Sequence, residues 1–234
     1  MASEVALRAL VPVNRPSVAD QVFDSLQESI LNLELPPGAR ISEVDVATQM
    51  GVSRQPVRDA FYRLSKLGFL VIRPQRSTTI SLISETAVLH AQYLRNALEV
   101  ETVRSATETL TEADFIALDA LLAAQNDAHV AQNKILFHRL DDQFHREICT
   151  RGGVGFAWDF IAENKVHMDR VRMLSLSFAS RQALDDHIAI LERMKARDAA
   201  GAADLMRVHL SRIRGLIDRI RADENAYFDR DATA

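Results

Sequence analysis

The chain has little cysteine and no long apolar run. Its 234 residues include one cysteine, Cys149, which excludes an intrachain disulfide framework and predicts a reducing, cytoplasmic environment. No apolar stretch approaches the ~20 residues needed to cross a bilayer. Residues 1–16 lack the basic start and apolar stretch of a secretory signal, and we expect them to form a flexible arm. These absences exclude membrane proteins and disulfide-rich secreted proteins.

Residues 42–67 predict two short helices joined by a tight turn. Their apolar residues follow helical spacing that is interrupted at Gly51, a residue type that adopts left-handed backbone at little steric cost. Ser53 is placed to cap the second helix, and Pro56 falls in its first turn, where a missing N–H is tolerated. This pattern is typical of a helix-turn-helix, whose second helix enters the major groove of DNA.

Positive charge is concentrated on the same segment. Between residues 51 and 76 there are six basic residues and one acid, whereas the whole chain has a net charge of −4. Arg54 and Arg58 are four residues apart and therefore share one helix face. Arginine bridges guanine edges or holds phosphates, so this pair is suited to DNA. The alternative is a solvated basic face, but the turn, cap and core pattern together favour DNA binding.

Two β-prone runs follow the second helix. Residues 69–72 and 78–82 predict a hairpin with a basic tip, the wing of a winged helix. Arg73 and Arg76 are placed at this tip for phosphate contact. A further helix is predicted before the helix-turn-helix, over residues 17–31.

From residue 84 the pattern changes to long helices without strand signal. The predicted helices are 85–109, 112–130, 133–149, 155–176, 181–197 and 199–224, with caps at Ser84, Thr111 and Ser180. Six such helices with short connections predict an antiparallel bundle. The fold class is therefore mainly α. We predict an amino-terminal winged helix-turn-helix domain over 17–83, a helical domain over 84–226 and a tail over 227–234.

Four residues of the helical part are candidate metal ligands: Asp141, His145, His187 and His209. Asp141 and His145 are four residues apart and lie on one helix face. His187 and His209 lie on or beside apolar stripes. Ligands borne on facing helices form metal sites inside bundles, and imidazole with one carboxylate suits Zn, Ni, Mn, Co or Fe(II). Each histidine taken alone is also compatible with a satisfied core residue, so both interpretations remain open.

Both halves resemble the FadR-type branch of the GntR regulators, from Ser17 to about Ala222. The segment GVSRQPVRDAFYRL is similar to the family's signature, with Asp59 in place of glutamate and Phe61 in place of leucine. Val44 stands where members often carry an arginine. The resemblance implies DNA contacts at four positions: Ser53, Arg54, Gln55 and Arg58.

The helical half resembles the family's ligand-binding (FCD) domain, and its six predicted helices are similar to the VanR-like subgroup. LDDQFHREIC, DDHIAIL and MRVHL resemble the segments that supply the family's metal ligands. The resemblance therefore implies a divalent transition metal held by Asp141, His145, His187 and His209. It also implies a small carboxylate effector, for which Arg95 and Arg172 are candidate partners. For both arginines, a surface or interhelical ion pair is the alternative.

We therefore expect a homodimeric transcription regulator that binds an inverted repeat in double-stranded DNA. A carboxylate effector at the metal would control operator affinity. We expect the protein to repress transcription and the effector to relieve that repression. One alternative is a purely structural metal without an effector. Another is a metal-dependent enzyme, although no second general base or nucleophile motif accompanies the four ligands.

Overall fold

The computed structural model describes residues 16–73 and 77–229. The amino-terminal part, the head, contains three helices and three short strands: α1 Val18–Leu31, β1 Arg40–Ile41, α2 Glu43–Met50, α3 Arg54–Lys66, β2 Leu70–Val71 and β3 Thr78–Ile80. The strands form an antiparallel sheet in the order β1-β3-β2, with Arg40 opposite Thr79 and Leu70 opposite Ile80. The predicted winged helix-turn-helix is confirmed.

Local sequence explains where the head helices begin and end. Ser17 and Asp20 form a reciprocal capping box at the start of α1. Gly51 ends α2 with a φ of 65°, and Gly68 follows α3 with a φ of 83°, so both glycines occupy left-handed backbone. Ser53 is the N-cap of α3, but its side chain makes no capping hydrogen bond. Ser53 therefore occupies the predicted N-cap position, but the predicted side-chain hydrogen bond is not formed.

The rest of the chain, the bundle, is built from helices packed around an apolar core. They are α4 Glu85–Thr109, α5 Glu112–Val130, α6 Lys134–Arg151, α7 Gly155–Asn164, α8 Val166–Lys195, α9 Ala199–Ser211 and α10 Ile213–Glu224. Phe115, Phe137 and Phe144 are among the buried residues of this core. Ser84 and Thr111 cap α4 and α5, as the sequence predicts. None of the helices in the described ranges combines the length and apolarity needed to cross a membrane.

Three predicted helix boundaries are wrong. The predicted helix 155–176 is broken after Asn164, where α7 ends, and α8 begins at Val166. The sequence also predicts that a new helix starts after a cap at Ser180, but α8 runs unbroken through Ser180 because no glycine or proline interrupts it. Conversely, the predicted helix 199–224 breaks at Arg212, whose N–H bonds to the His209 carbonyl in a tightened turn. The described bundle thus has seven helices instead of six, and helix number does not favour the six-helix subgroup.

The first residues of the predicted tail pair with Ile83. The N–H of Ile83 donates to the Tyr227 carbonyl at 2.8 Å, and the N–H of Asp229 donates to the Ile83 carbonyl at 3.1 Å. These two hydrogen bonds form a parallel bridge between Ile83 and Phe228, and the Phe228 side chain is buried. Residues 227–229 are therefore packed against residues 81–84, the linker that joins head and bundle.

Candidate DNA-binding surface and metal centre

The amino-terminal turns of α3 present the expected polar side chains to solvent. The side chains of Arg54 and Arg58 are 60% and 58% exposed, and Ser53 and Gln55 are exposed beside them. The opposite face of α3 carries the head core, so these four side chains point away from the protein. Exposed arginines on one face of such a helix are free to contact a duplex.

One acid on the preceding helix approaches both arginines. Oε2 of Glu43 lies 3.7 Å from Nη2 of Arg54 and 3.5 Å from Nε of Arg58. Exposed ion pairs of this kind contribute little, so either guanidinium can leave Glu43 for a phosphate or a base. Arg73, after β2, is also exposed, whereas Arg76 lies outside the described residues.

In the bundle, α6, α8 and α9 bring three histidines together. One ligand atom from each of His145, His187 and His209 lies within 4.8 Å of those from the other two. Asp141 joins them, since its Oδ1 is 3.7 Å from Nε2 of His187 and its Oδ2 is 3.9 Å from Nε2 of His145. The structure thus gathers all four residues that the sequence singles out.

A second residue orients each imidazole. The contacts join Nδ1 of His145 to Oε2 of Glu99 at 2.6 Å, Nδ1 of His187 to Oε1 of Gln125 at 3.0 Å, and Nδ1 of His209 to Oδ2 of Asp186 at 3.3 Å. The contacts of His187 and His209 are hydrogen bonds to acceptor atoms, which favours the tautomer with the hydrogen on Nδ1. The Nε2 lone pair of these two rings is then left for another partner, the arrangement typical of metal-bound histidine. The carboxylate of Glu99 beside Nδ1 of His145 favours the same tautomer there.

These residues fit a divalent transition metal. Nε2 of His145 and Nε2 of His187 are buried and have no hydrogen-bond partner among the described residues, and such orphaned atoms are costly unless something binds them. Burial holds the pKa of His187 well below its usual value and lowers that of His209 to about 4. Both rings are thus neutral near pH 7, as metal ligation requires.

The two candidate effector arginines lie beside this cluster and are already paired. Arg95 is buried and contacts Glu99, its neighbour one turn along α4. Burial alone would raise the pKa of Glu99, but Arg95 and His145 lower it, so the carboxylate is charged. Arg172 contacts Asp141 and also Asp142, at 3.1 Å. The interhelical ion pair expected as the alternative is present for Arg172, and Arg95 forms one within its own helix.

A cavity of about 100 Å³ adjoins the cluster. Arg95, Asp141, Arg172 and His209 contribute to its lining, together with apolar residues of α8 and α10. Charged groups of both signs therefore border a space of a few water volumes next to the histidines.

A second group, His138, Asp142 and Asp169, has metal-like spacing but already holds a cation. Nζ of Lys165 lies 2.6 Å from a carboxylate oxygen of each aspartate. The ammonium supplies the positive charge that a metal ion would bring, so this group is a salt-bridge cluster.

Sequence reasoning missed Glu99 and Gln125, which contact two of the histidines, although a signal existed for both. Gln125 is a lone amide on the buried stripe of α5, and Glu99 follows Arg95 by one helical turn. Asp186 lies in the segment DDHIAIL, and sequence alone did not separate it from the neighbouring Asp185.

Two family models match the chain. That of bacterial regulatory proteins of the gntR family covers residues 18–80, and that of the FCD domain covers residues 92–212. The chain belongs to the GntR family and carries an FCD domain. This GntR protein is therefore a DNA-binding transcription regulator rather than an enzyme.

Individual relatives agree over nearly the whole chain. The HTH-type transcriptional repressor RspR of Escherichia coli is 31% identical over 233 residues, which are 99% of this chain and 100% of the relative. A regulator from an unstable DNA locus of Streptomyces ambofaciens is 32% identical over 213 residues, 90% of this chain and 89% of the relative. Among solved structures, E. coli McbR/YncC covers 87% of this chain and 98% of its own, with a TM-score of 0.73 and 24% identity. That structure supports the fold alone.

Proposed function

We propose that this GntR protein is a transcriptional repressor that binds an inverted repeat in double-stranded DNA as a homodimer. A small carboxylate metabolite, bound at a divalent transition metal in the bundle, would control its operator affinity. The observation that carries this proposal is the cluster of three histidines beside a cavity whose lining includes Arg95 and Arg172. Two of these histidines, His145 and His187, have no hydrogen-bond partner at Nε2 among the described residues.

The proposed DNA-contacting residues are Ser53, Arg54, Gln55 and Arg58, with Arg73 and Arg76 from the wing. The exposure of the first four supports this role. Two heads reading two half-sites would give the operator the symmetry of the dimer. The sign of regulation is supported by relatives. RspR is named a repressor, and a Paenarthrobacter nicotinovorans protein, 26% identical over 202 residues (85% of this chain and 88% of the relative), is named a probable D-xylose utilization operon transcriptional repressor.

The proposed metal ligands are Asp141, His145, His187 and His209. Zn, Ni, Mn, Co and Fe(II) all suit this donor set, and any of them would supply positive charge and coordination positions for a carboxylate. The chain's own contribution is to orient the imidazoles and to present Arg95 and Arg172 at the cavity. Arg172 contacts both Asp141 and Asp142. Its guanidinium can therefore keep Asp142 as a partner when an effector carboxylate takes the place of Asp141.

Metal content tests the centre directly. His187→Ala removes a fully buried imidazole of the cluster, and His90→Ala removes an exposed imidazole of α4 as the matched control. Mass spectrometry of the purified proteins should show metal loss for the first and parental content for the second. Duplex binding by the metal-free parent should persist, because α3 is in the other domain. Equal metal content in H187A and parent would remove the basis of the proposed centre.

A purely structural metal would leave the centre intact without an effector. Thermal denaturation of the metal-loaded protein, with a panel of small organic acids, separates the two cases. A ligand that binds only the folded state raises the transition temperature. Stabilisation by one class of acid in the parent, and by none in H187A, supports the sensor. If no acid stabilises the parent, the structural-metal alternative is correct.

A further inference from the structure

Arg170 is the largest side chain with no exposed surface in the described part of the chain. Its guanidinium donates to the linker between head and bundle. Nη1 lies 2.6 Å from the Ser81 carbonyl, and Nη2 lies 3.1 Å from Ser81 Oγ and 3.2 Å from the Leu82 carbonyl. Its contacts within residues 16–73 and 77–229 are with backbone carbonyls, a hydroxyl and an imidazole, and no acidic side chain there pairs with it. The interactions of this buried cation are therefore directed to the path of the linker.

Other contacts hold the same linker from two further sides. Nδ1 of His167 accepts from the N–H of Ser84 at 3.3 Å and lies 2.7 Å from Nη2 of Arg170. Residues 227–229 pair with Ile83 on the other side through the two backbone hydrogen bonds described above. The linker is thus enclosed between the start of α8 and the carboxyl-terminal segment.

The linker is bonded in turn to the end of α3. Oγ of Ser81 donates to the Gly68 carbonyl at 2.5 Å, and the N–H of Ser81 donates to the Phe69 carbonyl at 2.9 Å. Gly68 is the second residue after α3, and a Cβ there would lie 3.0 Å from Nε2 of His167. Ser81 therefore connects Arg170 to the helix that carries Arg54 and Arg58.

Helix α8, which carries Arg170, contacts the candidate metal centre with its other face. Arg172 follows Arg170 by two residues, which at 3.6 residues per turn places the two side chains on nearly opposite faces of α8. Arg172 contacts Asp141, a proposed metal ligand, while Arg170 contacts the linker. A shift at the start of α8 would therefore act on the cavity and on the linker together.

We propose that Arg170 is a positioning residue that fixes the orientation of the head on the bundle. By holding residues 81 and 82 against α8, it would set how far apart the two α3 helices of a dimer lie on DNA. This inference rests on the proposed function, because it names the connection through which the bundle regulates DNA binding.

The first test is discrimination between half-site spacings. The variants are Arg170→Met, which keeps bulk and removes the donors, Arg170→Lys, which keeps the charge, and Arg181→Met, an exposed control on the same helix. Each is titrated with the selected inverted repeat and with a version lengthened by one base pair. We expect the parent and R181M to prefer the original repeat. In R170M the ratio of affinities for the original and the lengthened repeat should fall at least tenfold, and in R170K it should be intermediate. Parental discrimination by a folded R170M with parental metal content would overturn the inference.

The second test needs no DNA and covers a variant that folds poorly. Ser81→Ala removes only the hydroxyl that links Arg170 to Gly68, and leaves both carbonyl acceptors in place. Hydrogen exchange at the amides of Ile83 and Ser84 should be faster than in the parent for S81A and faster still for R170M, and unchanged for R181M. Unchanged exchange in S81A and in any folded R170M would overturn the inference. If the parent itself shows no preference for any inverted repeat, the proposed function fails, whereas exchange still decides the role of Arg170.

Discussion

Oε1 of Gln125 lies 3.0 Å from Nδ1 of His187, and both side chains are fully buried. A carbonyl oxygen can only accept, so this contact assigns the hydrogen to Nδ1 and frees Nε2 toward Asp141. Gln125 thereby fixes both the tautomer and the ring orientation of a proposed metal ligand without touching the metal position itself.

Gln125→Leu should therefore lower metal affinity. Removing a group that orients a ligand lowers metal affinity by about 10–100-fold. Competition with a chelator of known affinity measures the change. Gln143→Leu, an exposed position on α6 between Asp141 and His145, is the matched control and should bind metal as the parent does. Equal affinities for Q125L and Q143L would show that the contact does not tune the site.

Arg58→Ala should weaken specific operator binding. If Arg58 reads a base edge, the loss is about 1–3 kcal/mol, with relaxed specificity at one position of each half-site. Because the side chain is exposed, stability should change by no more than about 0.5 kcal/mol. Gel-shift titrations of operator and scrambled duplex measure the effect. Lys66→Ala, at the far end of α3, is the control, and an R58A midpoint equal to that of K66A would argue against base reading.

Glu43→Gln should strengthen DNA binding. Glu43 is the acid that approaches both Arg54 and Arg58, so its removal frees the guanidiniums and takes a negative charge away from the phosphates. Exposed pairs contribute roughly 0–1 kcal/mol, which corresponds to a gain of up to about fivefold in affinity. Glu28→Gln, an exposed change on α1, serves as the comparison. Weaker binding by E43Q at low salt would mean that Glu43 organises the surface instead of competing with DNA.

Acidification should destabilise the metal-free protein. Burial is the chief cause that lowers the pKa of four histidines: His138 to about 3, His167 and His209 to about 4, and His187 well below its usual value. In the unfolded chain each titrates near ~6.5. The unfolded state thus binds protons first, so this stability is present above about pH 6.5 and is lost as the pH falls toward 4.

One carboxyl group acts in the opposite direction. Burial raises the pKa of Asp169 to about 7, so the native state takes up this proton before the unfolded state does and gains stability on acidification. Four histidines outweigh this one group. Urea denaturation at about pH 7.5 and about pH 5 should give a lower midpoint at the acidic pH. His138→Gln should reduce the difference, and an equal or higher midpoint for the parent at the acidic pH would contradict this account.

The sequence sufficed for features that depend on local pattern. Gly51 and Gly68 marked turns because few other residues tolerate positive φ, and apolar periodicity identified the elements of the head. The four clustered residues were predicted because their types suit metal and their segments resemble those of a known family. Their mutual distances could not be predicted, since these depend on how α6, α8 and α9 pack.

Features that depend on tertiary contacts were missed. Ser180 looked like a cap, yet in the structure it lies inside α8, where its Oγ contacts Nδ1 of His129 at 3.0 Å. Arg170 reads as one more basic residue of an amphipathic helix, and only the folded structure shows that it binds the linker. Residues 227–229 carry no signal for pairing with Ile83, because that bridge joins segments far apart in the chain.

In the proposed function, the metal centre and the DNA-binding surface are coupled. The most direct measurement is the affinity of the metal-loaded parent and of H187A for the selected operator, with and without each acid of a small-carboxylate panel. Coupling between sites typically changes affinity about 5–150-fold. We predict that one class of acid weakens operator binding by the parent at least about fivefold and leaves H187A unchanged. Identical operator affinity of the parent with every acid, or an equal shift in both proteins, would show that the two sites are not coupled.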